Sequence, residues 1–207
     1  MTLDVLLTFT AASLLLSFTP GPDNIFVLLQ SALHGPRAGI FITLGLCTGL
    51  LVHTALVAIG VAALIMMSAT AFLMLKLLGA SYLVYLAVMS WRASASMLEQ
   101  EKAAALSLRR YYLRGILMNL SNPKVAIFFL AFLPQFARPE AGSVSAQLIV
   151  LGGVFIVVAL LVFGLIACLS GWLSGALRRS TRAQILLNRL AALVFLGLAA
   201  RLAVSSR

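Results

Sequence analysis

The chain has 207 residues, 62% of them hydrophobic and 10% charged, whereas a soluble domain carries about 25% charged residues. Its net charge of +10 is spread over short connections between apolar runs rather than gathered on one face, so a nucleic-acid partner is excluded. Continuous apolar runs exclude a membrane barrel, and two lone cysteines, Cys47 and Cys168, exclude a disulfide framework.

A hydrocarbon core of about 30 Å is crossed by about 20 apolar residues in helical form. Residues 38–71 and 142–177 exceed that length without a single Asp, Glu, Lys or Arg. The expected fold is therefore an all-α integral membrane protein. Six spans are predicted, at 3–33, 38–67, 70–91, 111–135, 144–174 and 184–204. The first run carries Asp4, lacks a basic n-region and has no cleavage pattern, so it reads as a span rather than a signal peptide.

That first span is interrupted. The stretch "SFTPGPDNIF", residues 17–26, places two prolines, a glycine and an aspartate between apolar residues. Proline removes a backbone donor and clashes with the preceding turn, yet it fits the start of a new helix. A half-helix is therefore expected to begin near Asn24. In the second span, Gly45 and Gly49 form a GxxxG spacing that serves close packing, either within the bundle or between two copies in a homodimer. His53 lies deeper in the same span and is a candidate proton relay; the competing reading is a neutral ring bonded to a backbone carbonyl. Tyr82, Tyr85 and Trp91 in the third span read as interface anchors, with Tyr82 alternatively lining a cavity.

The connection from Arg92 to Arg110 holds Ser96 and Glu99 at capping-box spacing. After it comes the second interruption, "NLSNPKVAIFFLAFLPQF", residues 119–136, with a half-helix expected to start at Pro123. Its phenylalanines read as packing or lipid contact, and Gln135 as a helix-end residue. Lys124 lies ten residues beyond Arg114, about 15 Å of helix and half the hydrocarbon thickness. Asp23 lies at a similar depth measured from His34. A charge there costs about 2.5–3.5 kcal/mol on insertion scales and usually marks a substrate or proton path. The structural alternative is that Asp23 only caps its helix and Lys124 meets carbonyls freed by Pro123.

Placing the basic residues inside assigns Arg37, Arg92, Lys102, Arg109, Arg110, Arg114, Arg178, Arg179 and Arg182 to the cytoplasmic face, with only Arg138 and Arg207 in outer connections and tails. Both termini are then outside. Residues 1–91 form one three-helix repeat, 92–110 a cytoplasmic linker, and 111–207 a second, inverted repeat with interrupted helices one and four. Pro22 and Pro123 stand 101 residues apart, Pro36 and Pro139 follow them, and Gly152 and Gly153 answer Gly45 and Gly49. Breaks in matching positions of inverted repeats point to a transporter's binding site. Helix starts favour an anion. With Lys124 they suit a carboxylate, while Asp23, Asn24 and Asn122 receive an ammonium: the needs of a zwitterion. Pro22, Asp23, Asn24, Asn122, Pro123 and Lys124 are the candidate substrate-binding residues. Asp23 is the first candidate for proton coupling, since a carboxylate in apolar surroundings can be reprotonated; His53 is the second.

The runs "TPGPDNIFVL", "HGPRAGIFITLGLCTG", "LKLLGASYLVYLA" and "NPKVAIFFLAFLPQF" resemble the lysine exporter and homoserine/threonine exporter family over nearly the whole chain. The resemblance implies a multi-pass carrier of the bacterial cytoplasmic (inner) membrane that exports amino acids on the proton gradient, embedded in lipid and without a cofactor. The absence of a second deep acidic residue favours neutral substrates such as threonine, homoserine or leucine over basic ones. A thiol oxidoreductase of similar layout lacks paired cysteines here. A metal-ion exporter lacks converging ligands, so no metal site is expected, and Lys124 would repel the cation.

Overall fold

The computed structural model describes residues 1–61, 69–93 and 105–204. Within them the chain forms eight α-helices and no strand: α1 Leu3–Phe18, α2 Pro22–His34, α3 Pro36–Leu56, α4 Ala69–Arg92, α5 Leu108–Ser121, α6 Pro123–Ile127, α7 Val144–Arg179 and α8 Thr181–Val204. Residues 62–67 of the second predicted span, and Ser96, Glu99 and Lys102 of the linker, lie outside the described residues. Among the described residues, four helices are long and apolar enough to cross a membrane. Two bent pairs, α1 with α2 at 57° and α5 with the segment Pro123–Phe136 at 52°, bring the number of spans to six. This is an all-α, multi-pass membrane protein with two broken spans.

Each bend follows from local chemistry. In α1, the Thr19 amide and its hydroxyl both donate to Leu15 O, closing the helix. Gly21 continues in extended backbone, and Pro22 then occupies the first turn of α2, where its missing N–H costs nothing. The helix thus begins at Pro22 itself, two residues before the expected Asn24. At the second break, the Asn122 amide donates to Asn119 O. Its Oδ1 accepts from the Lys124 amide at 3.0 Å, and its carbonyl accepts from Val125 and Ala126. Asn122 is a complete N-cap. Beyond α6 the helix widens into a π turn, Phe128–Phe132, then tightens into a 3-10 turn, Leu133–Phe136. Gly35, at φ +86°, makes the sharp corner between α2 and α3, a backbone region only glycine enters freely.

The aromatic run resolves as core packing. Phe128, Phe129 and Phe132 are buried, with Phe128 and Phe132 stacked at 4.9 Å, and Phe9 and Phe155 close around Phe128. The GxxxG pair also serves the interior. A Cβ on Gly45 would strike the Tyr112 carbonyl and lie 3.0 Å from the Gly115 Cα, while one on Gly115 would meet Ile42 O. A Cβ on Gly49 would meet the side chain of Asn119. These glycines therefore bring α3 and α5 into backbone contact within one chain. Gly45→Ala is expected to force the helices apart and to cost about 1–3 kcal/mol, the range for overpacking, read as a fall in the thermal midpoint of the detergent-solubilised protein. Gly164→Ala, which faces open space, is the control.

α1 meets α8 only lightly. The space between them is an apolar groove of about 620 Å³, lined among others by Ala11, Leu15, Phe18, Leu190, Val194 and Arg201. Arg201 rests over the Phe136 ring at 4.6 Å. Trp91, at the end of α4, lies under Arg189 of α8.

Candidate functional site

The two breaks meet in the interior. Asp23 and Lys124 are 2% and 6% exposed, and Asn24, Asn119, Asn122 and His53 are buried around them. Lys124 reaches across the molecule to the end of α1, donating from Nζ to Thr19 O at 3.1 Å and Leu16 O at 3.4 Å. Gly21 makes room for it, since a Cβ there would lie 2.9 Å from Nζ. Lysine thus caps the C-terminal end of α1, where the unsatisfied carbonyls and the helix dipole favour a cation. The acceptors belong to the first break, not to the turn freed by Pro123.

Asp23 projects from the first turn of α2 toward the side chains of Asn119 and Asn122, and Lys124 and His53 are the ionisable groups whose charge reaches its carboxyl. His53 Nε2 stands 3.3 Å from Asn119 O, and its ring lies 5.7 Å from that of Phe129. Asn24 Nδ2 donates to Ser17 O at 2.6 Å, tying α2 to the last turn of α1. Five buried polar atoms at this junction have no partner: Ser17 Oγ, Asp23 Oδ1, Asn24 Oδ1, Asn119 Oδ1 and Asn122 Nδ2. Three of the five, the oxygens of Asp23, Asn24 and Asn119, can be satisfied only by a donor; the Ser17 hydroxyl can donate or accept, and Asn122 Nδ2 needs an acceptor. Buried polar groups are rarely left this way.

A small void of about 10 Å³ sits at this point, bordered by Ser17, Asp23, Asn119 and Lys124 and by the apolar Leu16, Leu50, Val125, Phe155 and Phe163. That is about the volume needed for one water molecule. The site is closed in this conformation. The larger cavity nearby, about 300 Å³, lies on the other side of the first break among Phe18, Pro20, Leu165, Leu169 and Leu187. It is almost wholly apolar, and Asn24 is the one residue of the charged junction that also lines it. Size alone would select the 620 Å³ groove between α1 and α8; the charges and orphaned polar atoms select the small void.

Sequence reasoning named Pro22, Asp23, Asn24, Asn122, Pro123, Lys124 and His53, and all stand at this junction. It did not name Ser17 or Asn119, whose side chains border the void, nor the carbonyls of Leu16 and Thr19 that hold Lys124. The alternative of Tyr82 in a cavity has no counterpart among the described cavities: it pairs with Tyr85 at 5.7 Å, ring to ring. Gln135 donates to Ala131 O within its own turn. Cys47 is buried and Cys168 exposed, both as free thiols.

Fold and junction together define a multi-pass helical membrane protein organised around two broken spans, with opposite charges held at the breaks. Residues 14–206 match the LysE type translocators, and the chain belongs to that family. It is 36% identical over 179 residues to a homoserine/homoserine lactone efflux protein of Salmonella typhimurium, covering 84% of this chain and 86% of that protein. It is 32% identical over 198 residues to an uncharacterized membrane protein of Vibrio cholerae, covering 95% of each. A leucine efflux protein of an Enterobacter strain is 27% identical over 197 residues, 95% of this chain and 93% of that one. No solved structure matches the chain.

Proposed function

We propose that the protein exports neutral amino acids across the bacterial cytoplasmic membrane in exchange for protons, with its binding site at the junction of the two broken spans. The observation that carries this reading is the set of unpartnered acceptors beside a buried, oppositely charged Asp23 and Lys124. The unpartnered acceptors suit an ammonium group, while the unpartnered Asn122 Nδ2 and the charge of Lys124, which borders the same void, suit a carboxylate. The names of the relatives, efflux proteins for homoserine and its lactone and for leucine, point the same way.

In this reading residues 1–91 and 111–207 are inverted repeats, each opening with a broken span, and residues 92–110 link them on the cytoplasmic side. Both termini then face outward. Asp23 takes up the coupled proton, and His53, with its Nε2 at the Asn119 carbonyl, stands next in line to relay it. A basic substrate is disfavoured because the void holds one carboxylate, already opposite Lys124.

The test is transport by purified protein in proteoliposomes loaded with a panel of labelled amino acids under an imposed pH gradient. Gradient-dependent movement of a neutral amino acid, with lysine and arginine unmoved, is the expected result. Folded protein that moves no amino acid would remove the reading.

A further inference from the structure

We infer that the closed void between the breaks is the compartment of an aliphatic amino acid, with Ser17 and Asn119 completing its ammonium end and Leu50, Val125, Phe155 and Phe163 forming its side-chain end. This rests on the amino-acid export reading above and adds to it two binding residues, a side-chain subsite and a narrower substrate class.

The ammonium end is argued from the orphaned acceptors. An α-ammonium group carries three N–H bonds. Three residues bordering this void carry an unpartnered acceptor, Ser17 Oγ, Asp23 Oδ1 and Asn119 Oδ1, the last packed beside Gly49. Ser17 is the informative one. Buried hydroxyls in helices ordinarily return to the carbonyl four residues earlier, and Ser13, Ser31, Thr43 and Thr54 of this chain all do so at 2.6–2.8 Å. Ser17 has the same opportunity, is 3% exposed, and makes no such bond. Asn119 is 1% exposed, its carbonyl is occupied by His53, and its Oδ1 is left open. Neither arrangement is explained by the resting fold. A donor in the void satisfies both, a water in the resting protein and the substrate's ammonium when it displaces that water.

Apart from Lys124, the rest of the void's lining is without polar side-chain atoms. Leu16, Leu50, Val125, Phe155 and Phe163 can neither donate nor accept, so a hydroxylated side chain lodged among them would lose its water and gain no partner. A leucine-like side chain loses nothing there. The void as it stands is too small for either, so loading must move the walls. Phe155 and Phe163 both lie on α7, which makes that helix the one whose displacement enlarges the side-chain end.

Selectivity tests this directly. In counterflow with wild-type proteoliposomes, leucine, isoleucine and methionine are expected to exchange about ten- to a hundredfold more efficiently than threonine or homoserine, the range an apolar pocket gives against an added hydroxyl. Ser17→Ala is expected to raise the KM for leucine about tenfold with the thermal midpoint unchanged or higher, because the hydroxyl removed bonds to no protein group in the resting fold. Val125→Thr, nearly isosteric, is expected to narrow the leucine-to-threonine ratio by giving the substrate hydroxyl a partner. Threonine or homoserine exchanged as well as leucine by wild type would overturn the aliphatic subsite, and an unchanged KM in Ser17→Ala would overturn the role of that hydroxyl. Both results leave amino-acid export standing. Absence of exchange for every amino acid would instead remove export, and this inference with it.

Discussion

Asp23→Asn is expected to reduce pH-driven export to background and to lower the thermal midpoint, because Lys124 loses its buried counter-charge. The substitution keeps the side chain's shape and one acceptor oxygen, so the geometry at the start of α2 is preserved. What it removes is the negative charge opposite Lys124 and the group that can bind and release a proton. Net export under an imposed gradient and binding of unlabelled substrate, followed by protection against thermal unfolding, separate the two losses. The expected pattern is no gradient-driven transport with weakened but measurable protection. Full gradient-driven export by this variant would take Asp23 out of the coupling mechanism.

Lys124→Met carries the second large effect, this time on folding as well as transport. The ammonium is buried, caps Leu16 O and Thr19 O, and balances Asp23. Removing one member of a buried charge pair costs about 3–5 kcal/mol, because the other is left uncompensated. The single variant is therefore expected to unfold at a markedly lower temperature and to be inactive. Combining it with Asp23→Asn is expected to recover much of the stability and none of the transport. A single variant as stable as the wild type would mean that Lys124 and Asp23 do not act as a pair in the folded protein.

The breaks were legible because proline's constraints act on its own neighbours. Pro22 and Pro123 fixed where each helix restarts to within two residues, and charge content fixed which runs cross the membrane. Contacts made by backbone were not legible. Nothing in the letters around Lys124 indicates that its acceptors are the carbonyls of residues more than a hundred positions earlier. Gly115 gave no signal either, because a lone glycine in a helix becomes meaningful only when Gly45 lies against it. Ser17 and Asn119 sit inside the quoted stretches at the two breaks, yet nothing in the letters marks them. Their distinction is a missing hydrogen bond, a property of the packed molecule. The π turn at Phe128–Phe132 likewise has no sequence mark separating it from an α-helix of the same composition.

The backbone contact between α3 and α5 also limits how the molecule can change shape. Where Gly45 and Gly115 touch, no side chains lie between the helices to bend or repack, so the pair can roll against each other but cannot separate or approach. That contact is a fulcrum. The joint between α1 and α8, with its apolar groove, is slack by comparison. Whatever opens the junction of the breaks must draw Lys124 away from the end of α1, so its bonds to Leu16 O and Thr19 O act as a strap across the gap.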